Sequence, residues 1–408
     1  MAKAMIISVG GTPQPLIKSI EEYEPEFVSF FASQDTCDNI SQIKAAVSQL
    51  GLIIKTELTI VDDVNSLLHC HEKAEEAVER VLAKSYRKED VLVDYTGGTK
   101  NMSVALALAT VTHGFSFSYV GGHERTKEGV GIVINGREQV YQSLNPWDFL
   151  AIEEKKKIAL LFNQFQFKAA KDLADDIVTK TTKNRSLFKK VGFLIEGYSK
   201  WDLFRHQEAI DLFRKAKIEE ILESDDKSFK LFAKETQAKF NFLDAAVDSR
   251  KKPSTSLILD MYSNAERRFE EGKIDDAILR IYRLVEMIVQ YRLLNAYGIE
   301  ASDVKQDKIP EILREEFVRK HKSLRDGKIK IPQTDAFHLL EALGDNIGKV
   351  FKTNEARFLD IQSARNYSYL AHGFDFSKEK TYLSLKNFIL DLHIFKADEA
   401  PIFPKILI

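Results

Sequence analysis

Val91-Leu92-Val93-Asp94-Tyr95-Thr96-Gly97-Gly98-Thr99-Lys100-Asn101-Met102 decides how this chain is read. A short apolar run ends in paired glycines, and apolar residues then recur at helical spacing as far as Thr112. The pattern predicts a buried strand, a tight turn and a helix. The same order opens the chain: Ala4 to Val9, then Gly10-Gly11-Thr12-Pro13-Gln14, then a helical pattern from Pro15 to Tyr23. Between and beyond them, strands are predicted at Phe27–Ala32, Ile53–Val61 and Phe115–Val120, with helices at Asn39–Leu50 and Val64–Lys84. Alternation of this kind builds a mostly parallel, doubly wound sheet with helices on both faces. The stretch Gly129 to Leu144 reads as a hairpin around Asn135-Gly136.

In such sheets ligands bind beyond the carboxyl ends of the strands, where the strand order reverses. Both glycine turns are expected there. Glycine lets backbone N–H groups approach an anion, and a following helix N-terminus favours one. The candidate binding residues are Gly11, Thr12, Gln14, Thr96, Gly97, Gly98, Thr99, Lys100 and Asn101, with Ser33 and Gln34 as weaker ones. A tight turn capped by Thr99 explains the same glycines without any ligand. Neither the Walker A spacing nor the dinucleotide fingerprint is present, which disfavours an ATPase or a dehydrogenase. Asp94 reads as an acceptor that orients the turn, because a bare carboxylate would repel phosphate.

From Ala151 the pattern is helical almost throughout. Ala170, Ala209 and Ala277 recur in similar settings without a fixed period, so helical hairpins are expected rather than a repeat array. A charged, Pro/Ser-containing linker falls at 250–256. Three segments follow: 1–150, α/β; 151–255, a helical connection; and 256–408, all-helical. In the last, a helix or helix pair runs from Leu257 to Tyr297. A polar loop with Gly327 comes next, then helices at Thr334–Val350, Asn354–Ala371 and Leu383–Phe395.

Near the end stands Arg365-Asn366-Tyr367-Ser368-Tyr369-Leu370-Ala371-His372-Gly373. Seven helical steps leave Arg365 and His372 about 20° apart on one face. An Arg and a His so placed also suit a solvated stripe, with the His facing a helix C-terminus. Arg283 and Glu286, at i and i+3, are expected to pair, either structurally or in support of Arg365.

The 408 residues carry a net charge of −2, which at first argues against nucleic acid. That sum hides two parts. Residues 1–150 hold 13 basic and 20 acidic side chains, and the remainder holds 46 and 41. The front is acidic and holds 11 of the 19 glycines, and the back is mildly basic. Two cysteines exclude a disulfide framework and fit a reducing, cytoplasmic setting. No signal peptide, membrane helix or metal-ligand spacing is read.

Asp94 to Met102 after a strand, with Gly10 to Gln14 after the first strand, resembles the CRISPR-associated Rossmann-fold (CARF) domains over roughly residues 1–150. Arg-x6-His with Asn366 beside the arginine resembles the motif of HEPN ribonucleases. Together the chain resembles the CARF-HEPN effectors of type III CRISPR antiviral systems. The resemblance implies a homodimer whose front domain binds a cyclic oligoadenylate activator. It also implies a back domain that cuts single-stranded RNA with Arg365, Asn366 and His372. No metal cofactor, DNA or membrane partner is implied. Cleavage without metal needs a base for the 2′-hydroxyl, an acid for the leaving oxygen and a cation for the phosphorane charge. One histidine per protomer cannot fill both proton-transfer roles, so a composite dimer site is expected. The alternative is a sensor whose helical domain binds RNA or protein without cutting. A ligand-responsive transcription regulator is disfavoured, since no basic recognition helix is read.

Overall fold

The computed structural model describes residues 2–122, 136–181, 184–249, 252–366, 374 and 376–408. Contacts divide the chain into two compact units, 1–156 with 173–188, and 157–172 with 189–408.

The first unit is built on β1 (Ala4–Val9), β2 (Phe27–Ser33), β3 (Lys55–Val61), β4 (Val91–Asp94), β5 (Ser116–Gly121) and β6 (Gln139–Leu144). Their order in the sheet is β3-β2-β1-β4-β5-β6. The first five are parallel and β6 runs antiparallel to β5. Every residue of β1 is fully buried, as its apolar run, interrupted by Ser8, suits a central strand covered on both faces. On one face Met5, Ile7, Val9 and Leu92 pack with α1 (Gln14–Tyr23) and α2 (Cys37–Gln49). On the other, Ile6, Val91, Val93 and Phe117 pack with α3 (Leu67–Leu82) and α4 (Lys100–Val111). This is the doubly wound sheet expected from the strand–helix alternation. The tip of the expected hairpin, up to Asn135, lies outside the described residues. Gly136 has φ +82°, and β6 follows it.

The helices that follow are α5 (Trp147–Asn163), α6 (Phe167–Lys180), α7 (Arg185–Asp202), α8 (His206–Lys215), α9 (Ile218–Leu222), α10 (Lys227–Gln237) and α11 (Phe240–Asp248). Within the second unit, Phe162, Tyr198, Phe213, Phe232 and Phe403 share one aromatic cluster. A Cβ on Gly197 would stand 2.3 Å from the Phe213 ring, so α7 and α8 approach closely only because position 197 has no side chain. Ala170, Ala209 and Ala277 are fully buried, in keeping with close helix packing.

The rest of the second unit comprises α12 (Thr255–Glu270), α13 (Ile274–Tyr297), α14 (Glu311–His321), α15 (Gln333–Ala342), α16 (Asn346–Asn366) and α17 (Glu379–Asp391). The helix or pair expected from Leu257 is a pair, broken at Gly272 with φ +72°. Two expectations are corrected. The polar stretch before Gln333 contains α14, whose one buried side chain, Phe317, leaves almost no apolar stripe to read. The break between the next two helices falls at Gly344, φ +77°, and not between Val350 and Asn354. Asp345 Oδ1 accepts from Ile347 N at 2.9 Å and restarts the helix, so Asn354 is helical. Among the described residues, no helix is long and apolar enough to cross a membrane.

Candidate functional site

The strand order reverses between β1 and β4, and both glycine turns stand at that point. They touch each other. A Cβ on Gly97 would lie 2.4 Å from Ser8 O and 2.5 Å from Gly10 N, and one on Gly10 would lie 2.9 Å from Gly98 N. Backbone crowding therefore demands glycine at 10 and 97, and φ +82° favours it at 98. Ser8 Oγ donates to Gly97 O at 2.7 Å and Asn39 Nδ2 donates to Gly10 O at 2.8 Å, tying each turn to its neighbour.

Beneath the turns lies Asp94, fully buried. Its carboxyl accepts from Ser19 Oγ at 2.5 Å, Thr96 N at 2.9 Å and Ser118 Oγ at 3.1 Å. It orients the turn, as expected, and does not face a ligand. Burial pushes this carboxyl above the usual carboxylate range, against the pull of those three donors. The protonated form is thus favoured in the fold at pH values where the unfolded carboxyl has ionised. The unfolded state then binds fewer protons, so this group's contribution to stability falls as pH rises from about 3.9. An asparagine side chain in its place would be neutral throughout. The thermal midpoint of wild type relative to Asp94→Asn is therefore expected to decline as pH rises through that interval. A pH-independent difference between the two melting curves would refute it.

Gly11, Thr12, Gln14, Gly98, Thr99 and Lys100 are exposed above this floor, and Thr96, Gly97 and Asn101 are half-buried. Several of their side chains hold the loops. Thr96 Oγ1 accepts from Val120 N at 2.8 Å, and Thr99 Oγ1 caps α4 by accepting from Met102 N at 3.3 Å. Asn101 Nδ2 donates to Val64 O and Asn65 O at 3.1 and 2.9 Å. What faces outward is backbone, glycine, hydroxyl and the Lys100 ammonium, a surface suited to an anion with sugar hydroxyls. Ser33 is mostly buried and bonded to Thr36, whereas Gln34 is exposed. Sequence reasoning missed Ser8, Ser19, Asn39 and Ser118. Their only signal is a polar residue inside an apolar run or helix face.

In the second unit, Asn366 is helical and exposed, and it is the last residue of α16 described. Arg365 is helical, its side chain and all of Tyr367 to Gly373 lying outside the described residues, so the expected pairing of Arg365 with His372 does too. On α13, Arg283 Nη1 meets Glu286 Oε2 at 2.5 Å, as the i, i+3 spacing predicts. Arg280 Nε donates to Asn264 Oδ1 at 2.5 Å and Arg292 Nε to Asp345 Oδ2 at 2.8 Å, so both arginines serve the bundle. Gln362 Nε2 donates to Tyr282 Oη at 2.6 Å. Among the described residues, no three His, Cys, Asp or Glu side chains are grouped to hold a metal ion.

Two family models match this chain, the Csm6 6H domain at residues 150–243 and the Csm6 HEPN domain at 246–396. Together they take in well over half of it. The chain belongs to the CARF-HEPN family of type III CRISPR effectors. The HEPN match spans α12 to α17 and includes Arg365, Asn366 and His372. No curated protein matches the chain. Among solved structures, Enterococcus italicus Csm6 bound to cyclic hexa-2′-fluoro-hexa-dAMP is 14% identical, with a TM-score of 0.62 over 96% of this chain and 93% of that one. This CARF-HEPN chain therefore shares that fold from end to end. Can2 from Sulfobacillus thermosulfidooxidans in complex with cyclic tetra-adenylate is 12% identical over 62% of this chain and 69% of its own, at a TM-score of 0.27. The CARF sheet carries the two glycine turns, and the Arg-x6-His stretch falls within the HEPN match.

Proposed function

We propose that this CARF-HEPN effector is an endoribonuclease switched on by a cyclic oligoadenylate. It cuts single-stranded RNA without a metal ion, through attack of the ribose 2′-hydroxyl, at a site completed by two protomers. The observation that carries this reading is the pair of turns at the strand reversal. Two mutually packed glycine turns there present backbone, hydroxyls and Lys100, in a chain whose last domain matches the Csm6 HEPN model. The acidic front makes bulk charge a poor means of holding an anion, so directed N–H groups take that role. Enterococcus italicus Csm6, whose fold this chain shares, is bound to a cyclic hexanucleotide, which supports an oligonucleotide ring as the activator.

In the HEPN domain, Arg365 supplies a planar guanidinium for the phosphorane oxygens, and Asn366 orients it or the phosphate. The His372 imidazole moves the proton as base or acid. The second proton-transfer role falls to His372 of the other protomer. The product would carry a 2′,3′-cyclic phosphate.

The test is labelled single-stranded RNA incubated with purified protein in EDTA, with cyclic tetra-adenylate, cyclic hexa-adenylate or neither. Cleavage that requires one ring and survives EDTA is expected. An RNA left intact under every condition, with and without added magnesium, would reject the proposal and leave a binding module.

A further inference from the structure

Arg319-Lys320-His321-Lys322-Ser323-Leu324-Arg325-Asp326-Gly327-Lys328-Ile329-Lys330 holds six Lys or Arg and one acidic residue, in a chain whose overall charge is −2. The stretch leaves the last turn of α14 and folds into a tight hairpin. Lys322 and Ile329 bridge antiparallel, Ser323 N donates to Lys328 O at 2.8 Å, and Gly327 N donates to Ser323 O at 2.9 Å. Gly327 takes φ +70°, a conformation that glycine adopts without strain. The root is fixed. Ile329 and Ile331 are buried in the helical core. Val304 N donates to Ile329 O at 2.9 Å, and Ile331 N donates to Ala301 O at 3.0 Å. The tip stands in water, with Leu324 fully exposed and Lys322 and Arg325 exposed on either side of it. A hairpin held in this way presents its side chains at little further entropy cost on binding.

Ion pairs sort the six basic residues. Lys330 Nζ meets Asp326 Oδ2 at 2.7 Å, Lys328 Nζ stands 3.8 Å from Asp303 Oδ2, and Lys320 pairs with Glu316. Among the described residues Arg319, Lys322 and Arg325 have no ion pair, and all three are exposed. The C-terminus of α14 accounts for Arg319 and Lys320, because cations favour the negative end of a helix. It does not account for Lys322 and Arg325, which lie past the helix. Screening confines surface charges to a range of about 8–10 Å at physiological salt. The acidic front therefore does not cancel a local basic surface elsewhere. Single-stranded RNA offers this surface both of its complements, phosphates at regular steps and unstacked base faces. We propose that the 322–329 hairpin is a second RNA contact of the HEPN domain, in which Arg319, Lys322 and Arg325 take phosphates away from the cut step and Leu324 meets a base face. This rests on the reading of the domain as one that handles single-stranded RNA. A contact remote from the reacting bond adds binding without changing the chemical step, so its loss falls on KM rather than kcat.

The experiment uses the full chain, saturating cyclic oligoadenylate and labelled single-stranded RNA, either long or cut down to a few nucleotides around the cut step. Kd is read by fluorescence anisotropy in the His372→Ala background, and KM and kcat by cleavage in the otherwise wild-type chain. The triple variant Arg319→Gln, Lys322→Gln, Arg325→Gln is expected to raise Kd and KM for the long RNA on the order of 10-fold. Its plot of log Kd against log salt should be flatter by about 2, at about 0.7 per lost phosphate contact on a single strand. KM for the short RNA should stay within about 2-fold, and the thermal midpoint near the wild-type value. Arg319→Lys with Arg325→Lys keeps the charges and is expected to keep most of the affinity. Lys227→Gln, Lys230→Gln, Lys234→Gln on α10 removes the same charge elsewhere and is expected to leave Kd within about 2-fold. An unchanged Kd and salt slope in the hairpin variant overturns the proposal and makes a protein the partner to seek. An equal loss in the α10 variant also overturns it, because bulk charge then explains the binding. A wild type that binds the long RNA through the hairpin but never cuts it defeats the nuclease reading alone. A wild type that cuts, beside a hairpin variant with wild-type Kd, defeats the hairpin alone.

Discussion

Asp202→Ala is expected to lower the unfolding free energy of the helical unit by about 3–5 kcal/mol. Asp202 ends α7, and its carboxylate accepts from Arg267 Nε and Arg268 Nη2, both at 2.8 Å. Asn264 Nδ2 adds contacts of 3.0 Å to Oδ1 and 2.8 Å to the Asp202 carbonyl. Arg267 and Arg268 are 4% and 9% exposed, so neither charge can turn to water. Arg268 keeps Glu271 at 2.8 Å if Asp202 is lost. Arg267 has no such replacement. It would keep Ser263 Oγ at 2.8 Å, the Phe403 ring at 3.8 Å and the charge of Asp260, which lies farther off and makes no hydrogen bond to it among the described residues. Its burial already pulls its pKa below the ordinary arginine value, with Asp202 the chief opposing influence. The network has no slack, since among the described residues Arg267 Nη2 and Arg268 Nε are buried without hydrogen-bond partners. The cost of the substitution is therefore that of an orphaned buried cation, far above that of a surface pair. Urea unfolding of the two proteins measures it. A second variant, Asp202→Leu with Arg267→Met, removes both charges and is expected to recover most of the loss. A change below about 1 kcal/mol in Asp202→Ala would show that water reaches this cluster.

Such clusters also mark where the sequence stops being informative. Asp202, Arg267 and Arg268 look like any charged residues on a helical pattern. Only the packing of α7 on α12, some 65 residues away, makes them interior. Local pattern was enough for the sheet. β1 had to be central because all six of its residues are apolar or small, and its neighbours then follow from the alternation. The two glycine turns were legible as strand-to-helix junctions. Their mutual contact was not, because it depends on β1 lying beside β4, which no short stretch encodes. Asp94 shows the same limit. Its place at the strand end was readable, but two of its partners, Ser19 and Ser118, sit 75 and 24 residues away. In the helical domain, α14 escaped notice because a helix that buries only Phe317 has no stripe. The boundary at Gly344 escaped because one glycine inside a periodic run reads as tolerated.

His372→Ala is expected to lower activated RNA cleavage about 10²- to 10⁴-fold while leaving cyclic oligoadenylate binding unchanged, the range for losing one positioned proton-transfer group. The two sites lie in separate domains, so a loss of cleavage with retained ligand affinity separates chemistry from sensing. The composite site makes a sharper claim. If each protomer's His372 fills one of two obligatory roles, a dimer with one altered protomer fails almost as fully as one with two, because residues acting as a unit are not additive. Equimolar mixing of wild type and His372→Ala, after subunit exchange, should then leave about a quarter of the wild-type rate, from the surviving wild-type dimers. Independent sites would leave about half. The pH profile supplies a second readout. Two imidazoles in opposite protonation states give a bell-shaped profile with two limbs, and the apparent values belong to the pair. A single-limbed profile, or half of the rate in the mixture, would mean that the acid and base do not come from two copies of His372. The second proton-transfer group would then lie within one protomer.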